Sequence, residues 1–286
     1  MSLAYLNGNY QPLDQTQVSV MDRGFLFGDG VYEVIPVYAK KPFRLSEHLQ
    51  RLQTCLSSIR ITNPYSDAEW ASIIERIIAS ADSNDQQVYL QVTRGVSPVR
   101  NHAFPVDVKP TVLVMSDPLL PPDTALFASG VTAVSAADFR WLRCDIKATS
   151  LLANCLLRQI AVDAGCAETV LLRDGILTEG AASNIFAVKD GVLLAPQKNH
   201  LMLPGITYDV ILEIVAARGI PHVVRDISEA EVHDADELLM TSSTREVLPI
   251  VRLDDRPVGD GRPGAMARTL AAAYQDFKRT VMYRQA

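Results

Sequence analysis

The 286-residue chain contains no apolar run of the roughly 18 residues that a membrane-spanning helix needs. Near its first residues it lacks a basic segment followed by a long apolar one, so no secretory signal is expected. It has four cysteines but no Cys-x-x-Cys pair, which favours reduced thiols over a disulfide framework or a metal site. We therefore expect a cytoplasmic protein that does not act at a membrane and holds no metal.

Basic residues are neither abundant nor clustered. The net charge is −6, whereas a nucleic-acid surface needs grouped Lys and Arg to neutralise phosphates. No G-x-x-x-x-G-K-[ST] loop occurs, which weakens a nucleoside triphosphate interpretation. The ordinary composition, 48% hydrophobic and 21% charged, is typical of a globular protein.

Three prolines fall within residues 117–123, and proline cannot continue a helix or a central strand. We therefore predict a smaller N-terminal domain over residues 1–117, a proline-rich linker over 118–123 and a larger domain over 124–286.

Hairpins and helices alternate along the chain in a way that predicts an α+β fold. Asn7-Gly8 suits a tight hairpin turn, and residues 169–178 and 184–194 are predicted hairpins around Asp-Gly pairs. A helix is expected to begin near Ser46, a plausible N-cap, and to carry a stripe of leucines on one face. Another helix is predicted from Thr207 to Arg218.

Two segments could bind an anion. In the first, Gly205 precedes the helix that starts at Thr207, so backbone N–H groups and the positive end of the helix dipole are presented there. The alternative is an ordinary helix start. In the second, residues 241–246 offer four hydroxyls, but Ser243 and Glu246 could equally form a capping box.

Two further residues could take part in chemistry. Lys147 lies at a predicted strand-to-helix junction, where side chains often face a cleft and a neutral amine acts as a nucleophile. Glu179 ends the return strand of a hairpin, where its carboxylate could pair with a cationic ring nitrogen. The alternatives are a solvated lysine and an exposed glutamate.

Eight segments, taken together, resemble one known family. Their order and spacing resemble the fold-type IV pyridoxal phosphate-dependent aminotransferases, and within them the D-amino acid aminotransferases, along nearly the whole chain. The segments are DRGFLFGDGVYE (22–33), EHLQRL (47–52), VTRG (92–95), RWLRCDIK (140–147), TEG (178–180), SN (183–184), GIT (205–207) and TSSTRE (241–246).

The resemblance implies a two-domain α+β fold, with a smaller α/β N-terminal domain and a larger, mixed, β-barrel-like cofactor-binding domain. It implies pyridoxal 5′-phosphate as cofactor, carried by Lys147, with Glu179 at the pyridine nitrogen. Leu203 would pack against the cofactor ring. The phosphate would be bound by Arg51, Ile206, Thr207, Ser242, Ser243 and Thr244.

The substrate residues implied by the resemblance are Tyr32, Arg100 and His102. Arg100 and His102 match an Arg-x-His pair that binds the substrate carboxylate from the partner subunit, which implies a homodimer. This chain departs from the family pattern at two places. The 97–102 loop has one residue more, and Ala181-Ala182 stand where D-amino acid members tend to have serines.

The function implied is transamination of D-alanine or a similar D-amino acid with 2-oxoglutarate, giving a 2-oxo acid and D-glutamate. Two enzymes on the same scaffold are alternatives: a branched-chain L-amino acid aminotransferase and aminodeoxychorismate lyase. A cofactor-carrying or interaction protein without activity is a third, which the presence of Lys147 disfavours.

Overall fold

The structure is a computed structural model that describes residues 3–120 and 123–283. The chain divides into two compact units, each with strands and helices, as the α+β prediction expected. Unit 1 comprises Met1–Leu120 with Ile146–Leu151, and unit 2 comprises Pro121–Asp145 with Leu152–Ala286. Within the described residues, no helix combines the length and the apolar character needed to cross a bilayer.

Among the described residues, unit 1 contains one antiparallel sheet, three α-helices and a short 3-10 helix (Leu13–Gln15). Its strands are β1 (Leu3–Leu6), β2 (Asn9–Pro12), β3 (Gly30–Tyr38), β4 (Lys41–Pro42), β5 (Gln86–Thr93) and β6 (Thr111–Pro118). Its helices are α1 (Arg23–Phe27), α2 (Leu45–Ser58) and α3 (Asp67–Ser80). The strand order is β2-β1-β6-β5-β3-β4, and the predicted Asn7-Gly8 hairpin is confirmed as the β1–β2 turn.

The core of unit 1 lies between this sheet and helices α2 and α3. Leu52 and Leu56 of α2, Ile74 and Ile77 of α3 and Leu90 of β5 are buried in one cluster. Each such side chain contributes roughly 1.5–3 kcal/mol on burial, so the leucine stripe largely decides which face of α2 turns inward.

The predicted start of α2 near Ser46 is confirmed to within one residue, but the predicted N-cap at Ser46 is wrong. The helix begins at Leu45, and Arg44 occupies the N-cap position in the left-handed conformation without a side-chain cap. Ser46 therefore lies inside the first turn. A short polar residue next to a leucine stripe is a weak marker because tertiary contacts can move a helix end by a residue or two.

The described part of unit 2 contains a nine-stranded mixed sheet, five α-helices and a π-helix (Arg279–Tyr283). Its strands are β7 (Val131–Ala137), β8 (Glu168–Arg173), β9 (Ile176–Gly180), β10 (Asn184–Lys189), β11 (Val192–Ala195), β12 (His222–Val224), β13 (Glu237–Ser242), β14 (Glu246–Leu253) and β15 (Arg256–Pro257). Its helices are α4 (Thr124–Ser129), α5 (Leu152–Asp163), α6 (Ile206–Ala217), α7 (Glu229–His233) and α8 (Ala265–Lys278).

The unit 2 sheet runs β12-β11-β10-β13-β14-β7-β8-β9, with β15 paired to β14. It curls, so that β9 at one end of this order also contacts β10. The predicted hairpins over 169–178 and 184–194 are confirmed as β8–β9 and β10–β11. Unit 2 thus contains both predicted anion-binding segments: residues 205–207 at the start of α6 and residues 241–246 at the β13–β14 turn.

The region of the predicted linker differs in detail from the expectation. Pro118 ends β6 and pairs with Gln86, and Asp123 caps α4. Pro121 and Pro122 lie outside the described residues. Residues 146–151, predicted to belong with the larger domain, group with unit 1 because Val31 and Ala148 form a bridge that attaches this segment to β3. The domain bounds themselves stay a prediction.

Candidate active site

Lys147 lies on an extended segment beside the start of β3. The Tyr32 N–H donates to the Lys147 carbonyl at 3.0 Å, and the Lys147 N–H donates to the Cys55 Sγ at 3.3 Å. The Lys147 ammonium lies 4.2 Å from the centroid of the Tyr32 ring. No ion pair of this ammonium is found among residues 3–120 and 123–283. An amine that no carboxylate holds is available as a nucleophile once it loses its proton.

A buried carboxylate lies on the same strand as Tyr32. Glu33 accepts from Arg51 through Nε at 2.8 Å and Nη2 at 2.7 Å, and its Oε2 lies 2.7 Å from Nδ1 of His48. Burial alone would raise the pKa of Glu33, but the charge and hydrogen bonds of Arg51, with those of His48, lower it to about 2. Burial lowers the pKa of His48, despite the pull of Glu33. Glu33 is therefore ionised and His48 neutral at pH 7.

This arrangement changes the expectation for Arg51. Because Arg51 lies off the leucine stripe of α2, its side chain was expected to point into a cleft and not to take part in the packing of unit 1. Instead the side chain is only 10% exposed and forms a bidentate ion pair with Glu33. Arg51 therefore has a structural role in unit 1, whatever anion it also binds.

Arg100 and His102 lie in the irregular segment between β5 and β6, and both are exposed. They converge on one side chain of α1. The Arg100 guanidinium carbon is 4.9 Å from the centroid of the Phe27 ring, and the His102 and Phe27 ring centroids are 5.4 Å apart. Both predicted carboxylate ligands thus lie against the same ring.

Glu179 lies near the end of β9 in unit 2 and is buried rather than exposed. Its Oε1 accepts from Arg140, while its Oε2 accepts from the Leu203 N–H at 3.1 Å and from Asn184 Nδ2 at 3.4 Å. Burial raises the pKa of Glu179 to about 7, against the pull of the Arg140 guanidinium. A carboxyl poised near neutrality is suited to pair with a protonated ring nitrogen.

Arg140 does not serve Glu179 alone. It also forms hydrogen bonds of 2.8 and 2.9 Å with both oxygens of Asp138, which accepts from Thr178 and pairs with Arg173 at 3.0 Å. Burial alone would raise the pKa of Asp138, but the hydrogen bonds and charge of Arg140 lower it to about 2. Because Asp138 largely neutralises Arg140, the guanidinium holds Glu179 in place without forcing its pKa down.

Leu203 takes part through its backbone. Its N–H donates to Glu179, and its carbonyl accepts from Asn184 Nδ2 at 2.9 Å. Gly205, two residues on, lies so close to Asn184 that a Cβ there would come within 2.1 Å of Asn184 Oδ1. Only glycine fits this approach. The side-chain amide of Asn184 therefore binds both the Glu179 carboxylate of β9 and the segment that leads into α6.

The start of α6 presents donors, as the sequence predicted. Gly205 is the N-cap residue and supplies no side-chain cap, so the helix begins at Ile206 with its first N–H groups lacking one. Ile206 and Thr207 are both buried. Ile206 can offer only its backbone N–H to an anion, whereas Thr207 adds a hydroxyl.

Residues 242–246 form the turn between β13 and β14, with Ser242 paired to Glu246. The alternative of a capping box is wrong because no helix begins there. The Arg245 N–H donates to Ser242 Oγ at 3.1 Å, which leaves the hydroxyl proton of Ser242 able to donate. Ser243 and Thr244 are half-buried on the same turn. Thr241, just before it, has a buried hydroxyl without a hydrogen-bond partner in the described part of the chain.

The two alanines that depart from the family pattern have different surroundings. Ala181 is buried against Leu157 and Leu171, and Ala182 is exposed. The carbonyl of Ala181 accepts from Asn154 at 3.0 Å. Neither alanine side chain can donate a hydrogen bond to a ligand.

The predicted residues thus divide between the two units. Unit 1 carries Lys147, Tyr32, Arg51, Arg100 and His102. Unit 2 carries Glu179, Leu203, Ile206, Thr207, Ser242, Ser243 and Thr244. Sequence reasoning did not assign roles to Glu33, His48, Asp138 or Asn184, although three of them fall within the quoted motifs and Asp138 lies two residues before one. It considered Arg140 only as a charge near Lys147 and did not predict its contact with Glu179.

Comparison with known proteins identifies the family. The model of the class IV aminotransferases matches residues 30–253. The chain is 36% identical to a D-alanine aminotransferase of Bacillus licheniformis, covering 94% of this chain and 95% of that protein. It is 38% identical to one from Listeria monocytogenes serotype 1/2a, covering 93% and 92%.

Solved structures agree with this assignment. A branched-chain amino acid aminotransferase of T.th., with pyridoxamine 5′-phosphate, superposes with a TM-score of 0.91 at 25% identity over 99% of this chain and 95% of that one. The enzyme of Escherichia coli gives 0.86 at 25% identity, over 96% and 93%. Both share the fold-type IV architecture predicted for this chain. With a family model that matches residues 30–253 and relatives 36% and 38% identical over more than nine-tenths of its length, the chain belongs to the class IV aminotransferases.

Proposed function

We propose that this enzyme transfers the amino group of D-alanine or a similar D-amino acid to 2-oxoglutarate, using pyridoxal 5′-phosphate. The observation that carries the proposal is that Arg100 and His102, both exposed, lie against the same Phe27 ring. Such a pair suits a carboxylate. The curated relatives named D-alanine aminotransferase cover more than nine-tenths of the chain and support the same substrate class.

The donors in unit 2 fit the phosphate of the proposed cofactor. Phosphate suits the start of α6, where Gly205 leaves room and no side chain caps the first N–H groups. The hydroxyls of residues 242–244 and the buried, unpartnered hydroxyl of Thr241 lie on the neighbouring turn of the same unit. Arg51 supplies a positive charge. The bound cofactor would supply the electron sink that stabilises negative charge at the substrate Cα.

Lys147 would hold the cofactor covalently and then move the proton at the substrate Cα. Its backbone is anchored by Tyr32 and Cys55, while its ammonium forms no ion pair among the described residues. An anchored backbone with an ammonium that no carboxylate holds suits a group that must act as both nucleophile and base.

Glu179 would hold the proton on the pyridine nitrogen. Its two oxygens are oriented by Arg140, Leu203 and Asn184, so the carboxylate has little freedom to turn away. Its raised pKa means that ionising it is unfavourable until a cation arrives beside it.

Stereochemical preference follows from where the carboxylate is held, because D and L substrates carry the same groups on Cα. We assign the carboxylate to Arg100, His102 and Tyr32. With the carboxylate held there, only one enantiomer would direct its Cα proton towards Lys147.

We also propose a homodimer in which Arg100 and His102 reach the neighbouring active site. Exposed apolar side chains flank them in unit 1, including Val96, Val99 and Phe104. Apolar groups of this size beside a functional loop are typical of a surface that a second copy covers.

A branched-chain L-amino acid aminotransferase remains the second candidate because solved structures of such enzymes superpose closely. It would use the same cofactor residues but hold the carboxylate differently, and it would not need Arg100 or His102.

A paired assay separates the two. D-alanine and L-leucine are offered separately with 2-oxoglutarate, and each 2-oxo acid product is followed. Faster turnover of D-alanine is expected, and preference for L-leucine would overturn the proposed substrate class. Release of pyruvate from aminodeoxychorismate without an added 2-oxo acid would instead identify the lyase.

A further inference from the structure

Arg23, the first residue of α1, is buried although it carries a charge. Its guanidinium donates to three successive backbone carbonyls in the 97–104 segment. Nη1 donates to Asn101 and Ala103, and Nη2 donates to His102 at 3.2 Å. One side chain therefore binds the backbone carbonyls of all three residues, 101–103, that directly follow Arg100, and His102 is one of them.

The guanidinium is itself held in place. Arg23 Nε donates to Asp29 Oδ2 at 2.7 Å, and Arg94 binds both oxygens of the same carboxylate at 2.8 and 3.0 Å. Arg94 also donates to the carbonyls of Ile59 and Arg60 at 2.7 and 3.2 Å. Asp29 thus ties Arg23 to the end of β5 and to the end of α2. Because this network is nearly dry, its charge-assisted hydrogen bonds are well ordered.

The base of the segment is fixed by Gly95, which has a φ of +100° and where a Cβ would meet the Lys109 carbonyl at 2.0 Å. Its tip carries the two predicted substrate ligands around Phe27, the last residue of α1. Arg23 also lies over that ring, 4.7 Å from its centroid. The same short helix therefore supplies both the backbone anchor and the aromatic surface against which Arg100 and His102 rest.

We propose that Arg23 is a positioning residue that sets substrate specificity: it fixes the backbone at Asn101–Ala103 so that the Arg100 guanidinium and the His102 imidazole are both presented to the substrate carboxylate. The inference rests on the proposed role of Arg100 and His102. It adds a residue that touches no substrate and acts only through the segment.

Lysine is the informative substitution. It keeps the charge beside Asp29, but a single ammonium cannot span three carbonyls and a carboxylate in one plane as a guanidinium does. Asp29 keeps its bidentate partner Arg94, and the released carbonyls belong to exposed residues that water can reach. The variant is therefore expected to fold while the segment loosens.

The test compares Arg23→Lys with the wild type in steady-state kinetics with D-alanine. We expect KM for D-alanine to rise about tenfold and kcat to change by less than about threefold, because binding and not chemistry is disturbed. Faster hydrogen exchange of residues 97–104 should accompany it. Arg76→Lys is the matched control: Arg76 also lies over an aromatic ring in unit 1, but that ring is Tyr10, 3.7 Å away at its centroid, and not a side chain of the segment or of α1.

Coupling to Arg100 distinguishes positioning from a general structural role. In an Arg100→Ala background, Arg23→Lys should have a clearly smaller effect than in the wild type, since one of the two groups that it positions is gone. Additive losses, or an Arg23→Lys variant with wild-type KM, would overturn the inference and leave the proposed function standing. If Arg100→Ala itself leaves kcat/KM for D-alanine unchanged, the proposed carboxylate site fails, and the inference fails with it. Should Arg23→Lys prove unstable, Arg23→Gln, which keeps donors but no charge, is measured in the same way.

Discussion

Replacing Glu179 by glutamine should make the cofactor-free protein more stable at neutral pH while it damages catalysis. The pKa of Glu179 is raised from its usual 4.5 to about 7 by burial. A raised pKa in the folded state means that the fold binds more protons than the unfolded chain. The contribution of this group is therefore fully present below pH 4.5 and is lost as the pH rises through 7.

The size of the effect follows from the same values. A folded-state pKa of about 7 against 4.5 in the unfolded chain corresponds to about 3 kcal/mol, which the wild type loses between pH 4.5 and 8 and a neutral amide does not. The glutamine variant should thus match the wild type near pH 4 and exceed it by up to about this amount at pH 8. Opposing this gain, the amide weakens the contacts of Glu179 with Arg140 and Leu203.

Catalysis should move the other way. An amide holds a pyridinium proton less firmly than a carboxylate does. Loss of one charge-assisted hydrogen bond, about 1.5–3 kcal/mol, corresponds to roughly a 10- to 150-fold fall in kcat/KM with cofactor still bound.

Urea unfolding of the cofactor-free proteins between pH 4 and 8 measures the first effect, and steady-state kinetics with saturating cofactor measure the second. Glu237→Gln is the control, because Glu237 accepts from the N–H groups of Met266 and Ala267 at the start of α8. It should lose stability and keep its activity. Parallel stability curves for wild type and Glu179→Gln would refute the pKa argument, and wild-type turnover in the variant would remove Glu179 from the cofactor site.

Further outcomes are expected. Borohydride reduction should fix the cofactor on Lys147, and mass spectrometry placing the adduct on another lysine would contradict the assignment. Arg51→Lys should raise the cofactor dissociation constant about tenfold in an absorbance titration, since an ammonium replaces a bidentate guanidinium; an unchanged constant would remove Arg51 from the phosphate site. The pKa of Glu33 is lowered to about 2, so this group contributes about 3 kcal/mol of stability that is present above pH 4.5 and lost as the pH falls through 2. Glu33→Gln should therefore reduce the loss of stability that urea unfolding measures between pH 4.5 and 2. An unchanged loss in the variant would argue against this contribution. Sedimentation at assay concentration should give a dimer, and a fully active monomer would speak against the proposed sharing of Arg100.

The Arg51 experiment uses lysine rather than alanine for a structural reason. Removing the side chain would leave Glu33 buried with only the neutral His48 beside it. An uncompensated buried charge typically costs about 3–5 kcal/mol, so an alanine variant would confuse folding with cofactor binding.

Local sequence patterns predicted most of the fold. The leucine stripe of α2 and the turns at Asn7-Gly8 and Asp174-Gly175 follow from side-chain periodicity and from turn chemistry. Patterns of this kind act over a few residues, so they survive without knowledge of the partner elements. The N-cap of α2 was predicted wrongly because neighbouring elements, and not a single capping residue, decide where this helix begins.

The site divides in the same way. Motif resemblance marked Lys147 and Glu179, whose roles stay predictions, but it did not predict how each is held. Arg51 meets Glu33 across 18 positions of sequence, and Arg140 meets Glu179 across 39. No periodicity links such pairs, since it is the packing of a helix on a strand or the curl of a sheet that brings them together.

The sequence by itself determined the family, the element types and the residue types available for chemistry, because these depend on composition, spacing and order. Tertiary structure alone decided the electrostatics: a glutamate pKa near 2 in one unit and another near 7 in the other. Glu33 and Glu179 are the same residue type, and both are buried. They differ because Arg51 binds Glu33 through two nitrogens with His48 alongside, whereas Arg140 divides its guanidinium between Glu179 and Asp138. Only the folded chain sets which charges share a desolvated space.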